Sequence, residues 1–237
     1  MTTYGNTTLP GRLVVNSGVG GATAFNLRTA QRAGLPPSST SPDHDSWSTG
    51  ASTTTLLRLN QDLGPTTSEL AFFNAATLAA AQAPLRISST LSRPLLSADG
   101  HFVLTFWSNK AANESSTYLT IFDAATGAVV ERGSLLNGST VIGTPAAWLP
   151  DGRYVYLVEK SLYVTMPNSP NADLIATLAL PDNGSTGIAA GTISASPDGR
   201  RLALTWVEPR KGGISNDSNL WVVNIDGTGL RDRKSVV

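Results

Sequence analysis

Three Asp-Gly pairs, Asp99-Gly100, Asp151-Gly152 and Asp198-Gly199, stand 52 and then 47 residues apart. Each is followed by a short apolar run, at 102–107, 154–158 and 202–207. A polar stretch and a second apolar run come next, at 118–122, 162–166 and 219–225. Asp and Gly both tolerate positive φ, so an Asp-Gly pair between β-prone runs is a strong local hairpin signal. The same plan is complete at 193–231, which reads ISASPDGRRLALTWVEPRKGGISNDSNLWVVNIDGTGLR and closes on a further pair, Asp226-Gly227.

A unit of 40–50 residues with four short strands cannot bury both faces alone, so copies must stack. The expected fold class is therefore all-β, a β-propeller of four-stranded antiparallel blades. Segment 69–84, ELAFFNAATLAAAQAP, favours a helix by propensity alone. Shifted by 49 residues it lies on 118–133, YLTIFDAATGAVVERG, pairing Leu70 with Leu119, Phe73 with Phe122 and Asn74 with Asp123. The second copy has Gly127 at its turn and β-branched Val129-Val130 after it, so both segments are expected as hairpins, with Leu78 in the place of Gly127.

Upstream the plan degrades. Segment 9–35 gives strands near 12–16 and 22–27 with nothing before them to supply an inner strand, and 36–41 (PPSSTS) is a turn cluster. Ser41-Pro42-Asp43 starts like Ser196-Pro197-Asp198, but His44 stands where glycine is needed, and the next strand is delayed to 53–60. After an extension at 1–8, the expected blades are 9–35 (partial), 36–87, 88–135, 136–182 and 183–231. An arc of that size leaves sheet faces and edges unpaired, so an incomplete ring is expected.

The stretches SPDGRRLAL (196–204) and NLWVVNIDGTGLR (219–231) resemble the TolB-like propeller repeat, a relative of the WD-type repeat. Trp148-Leu149-Pro150-Asp151-Gly152 fits its first part, and Ser97-Ala98-Asp99-Gly100 fits less closely. The resemblance spans about 9–231 and implies a ring of six or more blades, hence a chain that is a fragment of a longer protein. Segment 232–237, DRKSVV, is expected to interrupt the plan just where a fourth strand should run. It matches one reading frame of a common sequencing-library adapter and is expected to be a non-native tail, the alternative being a natural basic tail. The start, MTTYGNTTLPGR, has neither the basic residues nor the apolar core of a signal peptide. That points to the cytoplasm if Met1 is the true start, and to the periplasm or exterior if it is not.

Lys and Arg number 17 against 17 Asp and Glu, without a run of one sign, which demotes nucleic-acid binding. No apolar run approaches the roughly 18 residues of a membrane span. Cysteine is absent, removing thiolate metal sites and a cysteine nucleophile. Asp99, Asp123, Asp151, Asp198 and Asp226 are read as turn residues whose carboxylates bond nearby amides. His101, at the position of Arg153 and Arg200, reads as an exposed turn flank, and Asp43-His44-Asp45 as a degenerate turn. Five Asn-x-Ser/Thr triplets lie in stretches so rich in these residues that no function attaches to them. No catalytic, metal or cofactor residues are assigned.

Trp107 and Trp206 both stand eight residues after their turn Asp and open the longest loops, 108–117 and 208–218. Two roles are open to them: packing between adjacent sheets, or forming a rim with Asn109, Asn113, Arg210, Asn216 and Asp217 that contacts a ligand. The expected function is a non-enzymatic binding or scaffold module that uses one rim to hold a protein, a peptide or a glycan. The alternatives are the propeller of a larger prolyl-oligopeptidase-like serine peptidase whose catalytic domain is missing, and an enzyme whose activity, for instance on sugars, resides in the propeller itself.

Overall fold

Short strands with β-branched and aromatic residues on both faces produce a structure of stacked sheets. The computed structural model describes residues 12–17, 21–26, 31–35, 45–48, 51, 54–61, 66–108, 117–132, 135–136, 139–140, 145–181, 190–209 and 216–233. No helix occurs among them. The first sheet has three strands in the order β1 (Arg12–Ser17), β2 (Gly21–Asn26), β3 (Arg32–Gly34). The second has β4 (Asp45–Ser48), β5 (Thr55–Asn60), β6 (Ser68–Asn74) and β7 (Leu85–Ile87). The third has β8 (Thr90–Leu96), β9 (Phe102–Ser108), β10 (Thr117–Asp123) and β11 (Val129–Arg132). A two-stranded ribbon, β12 (Leu135–Leu136) and β13 (Ser139–Thr140), precedes the fourth sheet. That sheet has β14 (Ala146–Trp148), β15 (Tyr154–Val158), β16 (Ser161–Thr165) and β17 (Asp173–Thr177). The fifth has β18 (Ala190–Ala195), β19 (Arg201–Pro209), β20 (Asn216–Asn224) and β21 (Arg231–Asp232). Every sheet is an antiparallel meander in chain order. Four four-stranded blades and a three-stranded one make this a β-propeller.

Each interface between neighbouring sheets has its own core. Leu35 meets Trp47, Leu56, Ala71 and Phe73 between the first and second sheets. Leu57, Leu59, Leu70 and Phe72 meet Leu91, Leu96, Val103 and Phe122 between the second and third. Leu104, Phe106, Leu119 and Ile121 meet Ala146, Trp148, Tyr154 and Tyr156 between the third and fourth. Val155, Leu157 and Leu162 meet Leu202, Leu204, Trp206 and Val223 between the fourth and fifth. Neighbouring residues of one strand serve opposite cores: Val103 and Leu104 in β9, Tyr154 and Val155 in β15. The two-residue period of a strand produces this division.

The Ala-rich segment is a hairpin, as the internal repeat requires. Asn74 N–H donates to Ala79 O and Leu78 N–H to Asn74 O, just as Asp123 N–H donates to Ala128 O and Gly127 N–H to Asp123 O. Leu78 has φ +62° and Gly127 +71°, so a leucine holds a left-handed position where the second copy uses glycine. Asn74 Oδ1 accepts from the Ala76 and Thr77 amides, and Asp123 Oδ1 from Ala125 and Thr126. The side chain thus supplies the turn's hydrogen bonds in both copies.

Two expectations are corrected. Ser41-Pro42-Asp43 does not join the first and second strands of its sheet. Asp45 already begins the innermost strand, β4, and the connection to β5 runs through 49–54. The missing glycine at His44 is thereby explained, although His44 itself lies outside the described residues. At the other end Asp232 does not interrupt the plan. Arg231 and Asp232 form the fourth strand opposite Val222 and Trp221, and Arg233 N–H donates to Leu220 O. Residues 1–8 and 234–237 lie outside the described residues.

The outer turn of the fifth sheet packs tightly on the fourth. A Cβ on Gly227, where φ is +83°, would overlap the Cβ of Ala176 in β17. Gly227→Ala is expected to destabilise the chain by about 2–4 kcal/mol, combining left-handed strain with overpacking. Chemical denaturation measures this, and adding Ala176→Gly should recover part of the loss; a neutral Gly227→Ala would show that the two sheets are not held together at this point.

Candidate functional site: the axial cavity

Two kinds of position were expected to matter, the turns and the rim, and the structure separates them. At the turns, Ser196 Oγ donates to Asp198 Oδ1 at 2.6 Å, and the same oxygen accepts from Arg200 N–H at 3.0 Å. Ser196 Oγ itself accepts from Arg201 N–H at 2.9 Å. Ser97, Asp99, His101 and Phe102 repeat all three bonds. In the middle copy Leu149 replaces the serine, and Arg153 takes over, its guanidinium 2.7 Å from Asp151 Oδ2. Thr228 donates through both its hydroxyl and its amide to Asp226 Oδ1.

These bonds favour the ionised carboxylates. The Ser196 hydroxyl, then the Arg200 amide, holds Asp198 below the ordinary carboxylate value; Thr228 does the same for Asp226, and Arg153 for Asp151. Slight burial pushes Asp99 up, but bonds from Ser97 and His101 outweigh it and leave the group lowered. Gly100, Gly152, Gly199 and Gly227 come directly after these aspartates, at positive φ. His101, Arg153 and Arg200 are exposed on the turn flanks.

At the rim, Trp206 is only 2% exposed, in the core between the fourth and fifth sheets, and its Nε1–H donates to Pro181 O at 3.0 Å. It offers no face to a ligand. Trp107 is half-buried, packs on the core between the second and third sheets and lies 6.3 Å from the Tyr118 ring. Asn109, Asn113 and Arg210 lie outside the described residues, and Asn216 and Asp217 are described only as backbone of β20, opposite Pro209 and Glu208.

Among the described residues a concave feature lies at the innermost strands, where sequence reasoning placed nothing. The first strands of the four four-stranded sheets, β4, β8, β14 and β18, surround a cavity of about 470 Å³. Ser92, Arg93, Pro94 and Leu95 come from β8, Gly191 to Ser194 from β18, Ser46, Trp47 and Ser48 from β4, and Ala146 from β14. Leu59, Gln61, Phe106 and Pro145 complete it. Ala146 opens β14 and Gly191 stands near the start of β18, toward the end of the sheets where the β9–β10 and β19–β20 connections leave, while Ser194 lies farther along β18. Part of the cavity lining therefore lies toward the end of the molecule that carries the expected rim.

Two β-bulges shape its wall. In β8, Arg93 and Pro94 together oppose Thr105, between the pairs Ser92–Phe106 and Leu95–Leu104. In β18, Gly191 and Thr192 together oppose Thr205, between Ala190–Trp206 and Ile193–Leu204. A bulge breaks the ladder, and a threonine on the next strand repairs each break. Thr105 Oγ1 donates to Ser92 O at 2.8 Å, and Thr205 Oγ1 accepts from Thr192 N–H at 2.9 Å. Gly191 is required by this close approach, since a Cβ there would stand 2.6 Å from Thr205 Oγ1. Arg93 has φ +49°, an uncommon backbone for a long side chain. Its Nη1 crosses the cavity to donate to Gly191 O at 2.6 Å, joining one bulge to the other.

Arg93 is the residue that sequence reasoning missed. Its signal was Pro94, which cannot donate within a sheet and so marks an edge or a bulge, with Gly191 as the matching sign in β18. Among the described residues no group of three or more His, Cys, Asp or Glu could hold a metal ion, and no helix is long and apolar enough to cross a membrane.

No family model matches the sequence, and no curated protein matches it. Solved structures do. The chain is similar to a protein assigned as TolB in Agrobacterium tumefaciens, with TM-score 0.63 and 11% identity, covering 94% of this chain and 76% of that one. It is similar to the β-propeller domain of the Trilobed protease from Pyrococcus furiosus, described as having an open velcro topology. That match has TM-score 0.50 and 14% identity, and it covers 89% of this chain and 61% of the other. An oligogalacturonate lyase in complex with manganese gives TM-score 0.50 and 14% identity, covering 89% of this chain and 58% of that one. At these identities the likeness establishes the β-propeller fold and nothing finer.

The lowered aspartates make the turns sensitive to acid. Their folded pKa lies below the unfolded one, so their stabilisation is present above about pH 4 and is lost as pH falls through the folded values. Ser196→Ala should move the Asp198 carboxyl upward while leaving Asp226 unchanged in the same molecule. Carboxyl-carbon NMR titration reads both groups at once; an unmoved Asp198 would sink the assignment of the serine hydroxyl as its main partner.

Proposed function

We propose that the chain is a non-enzymatic binding module of TolB-like type, whose ligand enters the axial cavity from the end where the long connections leave. The observation that carries this reading is the cavity itself. It is a concave space of about 470 Å³ with apolar walls from Trp47, Leu59, Leu95 and Phe106 and convergent polar groups from Ser92, Arg93 and Ser194. That combination is the usual form of a small-ligand or peptide-end site. Hydroxyls, one amide and one guanidinium supply its polarity, and its described lining contains no carboxylate or imidazole to act as a general base. In this reading Trp107, with Asn109, Asn113, Arg210, Asn216 and Asp217 on the neighbouring connections, extends the contact surface beyond the cavity mouth. Trp206 belongs to the core.

A second reading, the propeller of a larger serine peptidase, draws support from the fold likeness to the propeller domain of the Trilobed protease. The two readings differ in the coding sequence downstream of the propeller. An uninterrupted gene that continues into a Gly-x-Ser-x-Gly elbow with a later Asp and His favours the peptidase, whereas a stop after six or seven blades favours the binding module.

The cavity is tested directly by filling it. Ser92→Trp places an indole in the space, and the wild-type chain and variant are compared by calorimetry against short peptides and oligosaccharides. Binding to the wild type that is lost in a variant with an unchanged melt is expected. Binding that persists in the filled variant would remove the axial cavity as the site.

A further inference from the structure

Resting on the reading of the axial cavity as the binding site, we infer that it takes a carboxylate group and that Arg93 holds it. The backbone at Arg93 is built around this side chain. Its left-handed φ of +49°, the bulge that sets two residues against Thr105, and Pro94 immediately after it all turn position 93 toward the axis, away from the ladder. Bulges next to sites re-aim side chains in this way, and strained positions persist where surrounding structure over-determines them.

Among the described residues, no acid pairs with the charge at Arg93. Arg58 lies 3.4 Å from Glu69, and Arg153 lies 2.7 Å from Asp151. Arg93, among the described residues, has one partner, the neutral carbonyl of Gly191 at 2.6 Å. A guanidinium has five N–H donors in a planar fork, so the bond from Nη1 steadies the group while leaving most of its donors available. None of the described residues lining the cavity is an Asp or a Glu. The wall therefore presents an exposed cation, oriented by its bond to Gly191 O, among hydroxyls of Ser92, Thr192 and Ser194, with Trp47 and Leu95 offering apolar surface to the rest of a ligand.

A planar fork in that setting matches a carboxylate, which accepts two parallel N–H bonds from it. Two sources share this chemistry: the C-terminus of a peptide and the acid of a uronic sugar. The volume of about 470 Å³ admits the end of either and not a folded domain.

The test uses the whole chain and two matched pairs of probes. One pair is acetyl-trialanine as free acid and as amide, the other a methyl uronoside as free acid and as methyl ester. Binding is followed by calorimetry and by NMR shifts of the Gly191 and Thr192 amides. In at least one pair the acid should bind about tenfold or more tightly than its neutral partner, the size of a charge-assisted hydrogen bond. Which pair responds identifies the source. Arg93→Gln, which removes the charge while keeping a polar side chain, should abolish that preference without weakening the neutral probe, and Arg93→Lys should keep part of it. Equal binding of acid and neutral probes overturns this inference and leaves the binding-module reading standing, as does an Arg93→Gln variant that keeps the preference. Failure of all four probes to bind counts against both. Should Arg93→Gln not fold, the acid-to-neutral ratio on the wild-type chain and on Arg93→Lys decides the matter.

Discussion

Strands of two to nine residues gathered in sheets of three or four depend on a neighbouring sheet to bury their apolar faces. In β9, Val103 is buried against the second sheet and Leu104 against the fourth, both at 0% exposure. In β15, Tyr154 faces back to the third sheet and Val155 forward to the fifth. Each such side chain contributes about 1.5–3 kcal/mol by leaving water. A sheet that lacks one neighbour loses the burial of that face. Stability is therefore shared along a line of repeats, as in other stacked architectures. The fifth sheet shows the converse. Leu202, Leu204 and Val223 are buried against the fourth, while on the other face Ala203 and Val222 are half-buried and Leu220 is 45% exposed.

Apolar contact sets the sheets side by side without fixing how they slide, and a few directed hydrogen bonds add that precision. Trp148 Nε1–H donates to Leu95 O at 2.9 Å, from the innermost strand of one sheet to that of the sheet before it. Trp206 Nε1–H reaches Pro181 O in the connection between the fourth and fifth sheets, and the Tyr154 hydroxyl donates to Glu131 Oε1 at 2.8 Å. A large ring buried with its polar tip satisfied is a favourable way to join two sheets. Trp206 is thus accounted for without a ligand. Trp107, which turns its face toward the preceding sheet in the same way, is less completely covered.

The fold was legible because the features that specify it are local and repeated. The Asp-Gly turns depend on residues within five positions of one another, from Ser196 to Arg201, and each announces the sheet it opens. The hairpin at Ala75 to Leu78 was legible for a different reason. Its own residues favour a helix, and only comparison with Ala124 to Gly127 revealed the turn that Asn74 and Asp123 both build. In the degraded upstream region the strands near 12–16, 22–27 and 53–60 were still legible, and the reading failed only at the innermost strand of the second sheet. Ser41-Pro42-Asp43 imitates a turn motif one strand too early, and the innermost strand Asp45–Ser48 is too short to show the two-residue period.

The axial site was hidden because a bulge is a property of two strands in register. Nothing in Ser92-Arg93-Pro94 shows that Thr105 stands opposite a two-residue step, or that Gly191 lies across the axis to receive a guanidinium. Counting back six residues from each turn aspartate gives Arg93, Pro145 and Thr192, three unlike side chains that all line the cavity. The aspartates repeat because each must close the same turn. The positions six residues before them differ because the axis is one shared space, in which identical residues from every blade would crowd a single point with the same charge. A propeller therefore displays its fold in what its copies have in common and its chemistry in how their innermost strands differ.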